Sequence, residues 1–256
     1  MTATYDAYLL FLLVLTRMTG ALLLNPILGR RNVPAMVKIS LALMLAIVVT
    51  PTLTAPAPSF PTPLSFMLAL IREMLVGYAL GLVMNLFISW VLVAGEAMDM
   101  EMGTSVSKIY DPASGASLPL TGTALNVMLT LIFFASNSHL TLIRFMAQSL
   151  QMFPPWPRMI AADVGQTIAM MLGNILILSL KLAMPVLAIE LLSEAGMGAL
   201  MRIVPQINVF VVGLQIKLGI GLLIVVLALP AISRLMDLAL TEMFQQLQKS
   251  LAVMLG

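Results

Sequence analysis

Arg17, Lys38, Arg72, Glu73, Arg144, Lys181, Glu190 and Lys217 lie within or at the edges of long apolar runs. Charge at such depth is costly, so each of these groups must face a partner, a cavity or water. The chemistry open to them is ion pairing between helices, snorkelling at a helix end, or a direct part in transport. Arg72 and Glu73 are adjacent and point about 100° apart on a helix, so they cannot pair well with each other and each needs a partner elsewhere.

A second group, Glu96, Asp99 and Glu101, forms an acidic patch in which Glu96 and Asp99 share a helical face. Such a pair could in principle serve as an acid and a base or hold a cation. His139 is the single histidine and no asparagine cluster accompanies the patch, so a solvated helix end is the expectation. The chain has no cysteine, and Gly-x-Ser-x-Gly, Walker A, His-Glu-x-x-His and Gly-x-Gly-x-x-Gly patterns are all absent. The expectation is a protein that is not an enzyme and carries no cofactor or metal.

The most polar stretch is residues 103–119, GTSVSKIYDPASGASLP, rich in hydroxyls and turn formers. Lipid cannot satisfy its backbone groups, so it must sit in water or line an aqueous path through protein. Pro112 and Pro119 limit its backbone freedom, Gly115 permits a turn, and the hydroxyls of Thr104, Ser105, Ser107, Ser114 and Ser117 can satisfy backbone groups in a wet lumen. Just before it stand Met98, Met100 and Met102, part of a total of 22 methionines whose flexible side chains adapt to irregular contacts and suit a deformable seal.

The elements that position these residues are apolar throughout. Hydrophobic residues make up 61% of the chain and charged ones 9%, with a mean hydropathy of +1.06, against about 25% charged for soluble domains. This composition describes an integral membrane protein. The net charge of +2 is too small to point to nucleic acid. Apolar segments fall at about 8–28, 33–53, 64–95, 122–152, 164–192 and 209–232, followed by an amphipathic tail over 233–256. Residues 8–28 hold nine leucines plus Phe11, Val14 and Ile27. They contribute about −4 to −7 kcal/mol to insertion, which outweighs Arg17. This run is too long for a signal-peptide core and is expected to be retained.

The spacing predicts an all-α membrane protein of about six segments arranged as inclined or broken helical hairpins, with an amphipathic C-terminal helix. Segment 64–95 is too long for a straight span and must tilt, kink or extend past the membrane. Segment 122–152 is interrupted at Ser136-Asn-Ser-His139, which predicts a turn between two short helices. Pro185 and Pro230 inside apolar runs predict broken helices. Pro51, Pro56, Pro58, Pro61 and Pro63 predict a semi-rigid connector over 51–63 within a single domain. Arg30, Arg31 and Lys38 put the first loop on the cytoplasmic side. Charges spread over nearly every segment suit helices that face other protein, which implies an oligomer.

Several stretches together resemble the FliR/SctT family of type III export gate subunits. They are Arg17 with Asn25-Pro-Ile-Leu-Gly29 and Val33-Pro-Ala35, Arg72-Glu-Met-Leu-Val-Gly-Tyr-Ala-Leu-Gly81, Ala94-Gly-Glu96, Met100-Glu-Met-Gly103, Tyr110-Asp-Pro-Ala-Ser-Gly115, Asn137-Ser-His-Leu140 and Pro205-Gln-Ile-Asn-Val-Phe210. The Asp-Pro-x-Ser-Gly run after Met-Gly is more flagellar than injectisome-like. Ser138 stands where the family commonly has glycine, and Tyr110 where it has phenylalanine.

The resemblance implies a pore-forming subunit of the flagellar export gate in the bacterial inner membrane and flagellar basal body, projecting toward the periplasm. It implies assembly with FliP and FliQ, contact with FlhB and FlhA, and passage of unfolded protein substrates. The family's pore plug falls on residues 103–119, with Gly103, Lys108, Ile109, Tyr110, Asp111, Pro112, Ser114, Gly115 and Pro119 as its main residues. The methionines are then a gasket for it, and Arg17, Lys38, Arg72, Glu73, Glu96, Lys181 and Lys217 interhelical charges. Two readings from other classes remain open. One is a small-molecule secondary transporter, suggested by buried charges and proline-broken helices. The other is an intramembrane enzyme using Glu96 and Asp99 as acid and base.

Overall fold

In a computed structural model of the chain, residues 2–29, 33–53, 60–104, 119–155, 164–203 and 209–255 are described. They are helical almost throughout, with no strand among them. The order is α1 (Thr2–Leu23), α2 (Ala35–Val49) with a 3-10 turn at Thr50–Thr52, α3 (Pro63–Glu101), α4 (Leu120–Ala135), α5 (Ser138–Met152), α6 (Val164–Ile203) and α7 (Val209–Leu255). Five of these helices are long and apolar enough to cross a membrane, and α4 with α5 makes a sixth candidate if the bent pair counts as one span. The fold is that of an all-α membrane protein.

The break inside 122–152 falls where the polar quartet sits. α4 and α5 meet at 70°, and the turn is made by Asn137 at φ +57. Asparagine tolerates this left-handed conformation better than most residues. Ser138 is already the first helical residue, so replacing glycine there removes no freedom that the turn uses.

The prolines behave differently from expectation. α6 runs through Pro185 and α7 through Pro230. A proline removes one backbone hydrogen bond, whereas unwinding the helix in an apolar medium would strand several polar groups at once, so continuing the helix is the lower-cost outcome. For the same reason the tail over 233–256 does not form a separate helix: α7 carries it on without a break for 47 residues. α3, at 39 residues, is about 58 Å long, well beyond a hydrocarbon core of about 30 Å.

Two sets of segments each pack internally. The first comprises Met1–Phe87, Phe134–Met171 and Leu240–Gly256. Its organising contact is a backbone-to-backbone crossing of α1 and α3. A Cβ on Gly20 would lie 2.6 Å from the carbonyl oxygen of Met74, and one on Gly81 would lie 2.8 Å from that of Ala21. A Cβ on Gly77 would collide with the carbonyl of Arg17. Gly77 and Gly81 thus form a small-xxx-small face, which lets helices approach closely where lipid gives no hydrophobic drive to association. Leu13, Val14, Met18, Val76, Leu80 and Val83 are buried in this set. The Pro-rich connector joins helices of this one set, and its residues 54–59 lie outside the described ones.

The second set comprises Ile88–Phe133 and Leu172–Ala239. Here α3 and α4 meet at Gly95 and Gly122, where a Cβ on Gly95 would collide with the Gly122 backbone. The Ser179 hydroxyl of α6 donates to the carbonyl of Trp90 at 3.0 Å. Trp90, Val91, Met98, Met102, Leu129 and Phe133 are buried.

Candidate functional site

The glycine crossing in the first set places Arg17 one turn before Gly20 and Ala21 on α1, and Glu73 one turn before Gly77 on α3. Arg17 is fully buried and Glu73 nearly so. The Arg17 Nε donates to Glu73 Oε2 at 2.6 Å, with Nη2 equally close to the same oxygen. Arg17 Nη1 donates to the carbonyls of Ser149 at 3.0 Å and Phe153 at 2.7 Å. Both carbonyls lie at the C-terminal end of α5, where that of Ser149 also accepts the Phe153 N–H at 2.9 Å, so Arg17 neutralises Glu73 and meets the negative end of a helix at once. The guanidinium groups of Arg17 and Arg72 stand 5.3 and 5.2 Å from the centre of the Phe153 ring. Glu73 therefore finds its partner 56 residues away, and Arg72 an aromatic face.

Asn25 closes the loop after α1 by accepting the backbone N–H groups of Ile27 at 2.9 Å and Leu28 at 2.8 Å. Lys38 donates to the carbonyl of Gly29 at 2.8 Å. Lys181 and Arg144 are exposed and Glu96 is half-buried. Lys217 pairs with Glu194 at 3.4 Å.

In the second set the decisive residue is Asp99. It is buried, not a solvated helix end as its patch suggested. The backbone N–H of Thr121, in the first turn of α4, donates to Asp99 Oδ2 at 3.1 Å and Oδ1 at 3.3 Å. The Thr104 hydroxyl donates to the Asp99 carbonyl at 3.0 Å. α4 begins just after Pro119, which has no side-chain acceptor to cap it. A carboxylate from α3 takes that role and meets the positive end of the α4 dipole. One residue therefore ties together both ends of the polar segment.

Of the residues expected in a plug, Gly103 and Pro119 frame the segment. Gly103 adopts φ +77, a left-handed conformation that glycine takes at no steric cost, and this turns the chain out of α3. Pro119 is buried, and its carbonyl accepts the Thr123 N–H at 2.9 Å. Lys108, Ile109, Tyr110, Asp111, Pro112, Ser114 and Gly115 lie outside the described residues. The methionines do not share a face in this chain: Met98 and Met102, one turn apart, are buried, whereas Met100 is 65% exposed.

The family of bacterial export proteins, family 1, matches residues 8–243. The chain belongs to that family. Among curated proteins it is similar to the flagellar biosynthetic protein FliR of Bacillus subtilis strain 168, with 32% identity over 91% of this chain and 90% of that protein. The FliR of Escherichia coli K12 is 29% identical over 91% of this chain and 89% of its own length, and that of Pectobacterium carotovorum is 31% identical over 87% and 85%. Both tethered regions, Arg17 with Glu73 and Asp99 with Thr121, fall inside the span that this export family matches.

Sequence reasoning singled out Arg17 and Glu73 but not the α5 carbonyls they serve, because backbone acceptors leave no sequence signature. It also missed the role of Asp99. The available signal was a helix beginning in apolar surroundings with proline where a cap should be.

Proposed function

We propose that this chain is a pore-forming, non-enzymatic subunit of the flagellar protein export gate. In this reading it lies in the bacterial inner membrane at the flagellar basal body, projects toward the periplasm, and assembles with FliP and FliQ homologues. FlhB and FlhA are its further neighbours. Unfolded flagellar proteins pass when residues 103–119 are displaced from the conduit by energy supplied elsewhere in the apparatus.

The observation that carries this reading is the double tether at Asp99. A polar segment that must avoid lipid leaves α3 at Gly103 and re-enters at Pro119, with Thr104 bonded to the backbone carbonyl of Asp99 and Thr121 to its buried carboxylate. A plug requires such a fixed base. The exposed apolar residues of α2, such as Met36, Ile39 and Val48, and of α7, such as Leu223, Val226 and Leu227, offer surface that neighbouring helices or lipid would cover. The names of the relatives favour the flagellar system over a virulence secretion system.

Co-expression with FliP and FliQ homologues from the same organism tests the reading. Stable co-purification in mild detergent is the expected result. Substrate-dependent small-molecule uptake by this polypeptide alone, with no association, would instead indicate a secondary transporter.

A further inference from the structure

Glu190 is fully buried in α6, and neither of its carboxylate oxygens has a hydrogen-bond partner among the described residues. It forms no part of the tether or of the Arg17 cluster. Its surroundings are well defined. A Cβ built on Gly221 of α7 would lie 2.8 Å from Glu190 Oε1 and would also strike the Met102 side chain of α3. Gly221 therefore stands directly against this carboxyl and the Met102 side chain. The charges acting on it are Glu101 from α3, Glu194 one turn along α6, and Lys217 one turn along α7. Lys217 is engaged with Glu194 at 3.4 Å. Glu190 and Glu194 on α6 thus face Gly221 and Lys217 on α7 in antiparallel register, with the ammonium paired to Glu194 one turn from the Gly221 that meets Glu190.

A buried charge must be neutralised. Among the described residues, three of the four charged groups here are acidic, and the one cation, Lys217, is held by the more open acid, since the Glu194 side chain is 61% exposed. We propose that Glu190 is a proton-binding site. Its carboxyl O–H is intact while Lys217 is engaged with Glu194. When Lys217 turns toward Glu190, the O–H bond breaks, the proton leaves to water by way of the open Glu194 side, and the ammonium becomes the counter-charge of the carboxylate. The site stands at the base of the polar segment, because Met102 packs against it and Gly103 meets Leu214 of α7. The proposal does not depend on that segment being a plug.

Infrared difference spectroscopy of the full chain in lipid, on stepping the pH, tests it. The wild type is expected to show a protonated-carboxyl C=O band that disappears as pH rises. Glu190→Gln loses this band, whereas Glu194→Gln, which frees Lys217 to turn toward Glu190, keeps it but makes it disappear at lower pH. Lys217→Met shifts its disappearance to higher pH, because the cation that stabilises the carboxylate is gone. Glu190→Asp, which keeps the acid, moves the band in frequency and serves if the glutamine variant does not fold. A band of wild-type amplitude in Glu190→Gln, a band unmoved in Glu190→Asp, or an unshifted titration in Lys217→Met would overturn the proposal.

Discussion

Asp99 and Thr121, 22 residues apart, are joined by a bidentate contact in which one backbone N–H is shared between both oxygens of a buried carboxylate. Asp99→Ala leaves the start of α4 uncapped in apolar surroundings, at a cost of about 1–3 kcal/mol. Amide exchange at Thr121 to Thr123 should accelerate by roughly tenfold to a hundredfold. Asp99→Asn, which keeps an acceptor, should recover much of the protection. Equal exchange in wild type and Asp99→Ala would mean that the carboxylate does not hold the helix.

The fully buried Arg17 and Glu73 pair predicts a strongly non-additive mutant cycle. Arg17→Met or Glu73→Leu alone leaves an unpaired charge in the bundle and should cost about 3–5 kcal/mol. The double variant should lose less than the sum of the two, and less than Arg17→Met alone if the carboxylate is the main burden. Thermal unfolding of the purified protein in lipid reads all four corners of the cycle, and strict additivity would contradict the pairing.

Glycines should divide sharply by position. Gly77→Ala pushes a methyl into the Arg17 carbonyl and should destabilise the chain by about 1–3 kcal/mol by forcing α1 and α3 apart. Gly173 meets nothing within 4 Å, so Gly173→Ala in the purified chain should be neutral or slightly stabilising, by up to about 1 kcal/mol. Melting temperatures of the two variants that moved together would count against the close crossing.

Local features were legible wherever the cause was local. Four polar residues between apolar halves marked the 70° break, because an apolar helix has no use for Ser136 and Asn137. The adjacency of Arg72 and Glu73 showed that each must look elsewhere. It could not show where, since the partner Arg17 becomes a neighbour only when Gly77 admits α1. Pro185 and Pro230 misled for a physical reason: the rule that proline ends helices is learned largely in water, which solvates the freed carbonyls, whereas an apolar medium penalises unwinding more than one missing bond. Asp99 misled because the burial of a carboxylate depends on which helix end arrives to meet it. The membrane class and the helical fold were legible because 61% hydrophobic composition admits few alternatives.

The tether also predicts a proteolytic signature. With Asp99 intact, cleavage within 105–118 by an added protease should leave the two fragments associated through α3 and α4 in mild detergent. In Asp99→Ala the same cleavage should proceed faster, and the fragments should separate more readily. Identical cleavage rates and association in both proteins would show that the tether does not govern the segment.

The most direct test of the central claim is ion conductance across membranes containing the assembled gate, with and without residues 108–117. A plug held at its base by Asp99 predicts that the deletion leaves assembly intact and raises leakage clearly above that of wild type. Unchanged conductance from a normally assembled complex would contradict the plug and leave residues 103–119 as a loop outside the conduit.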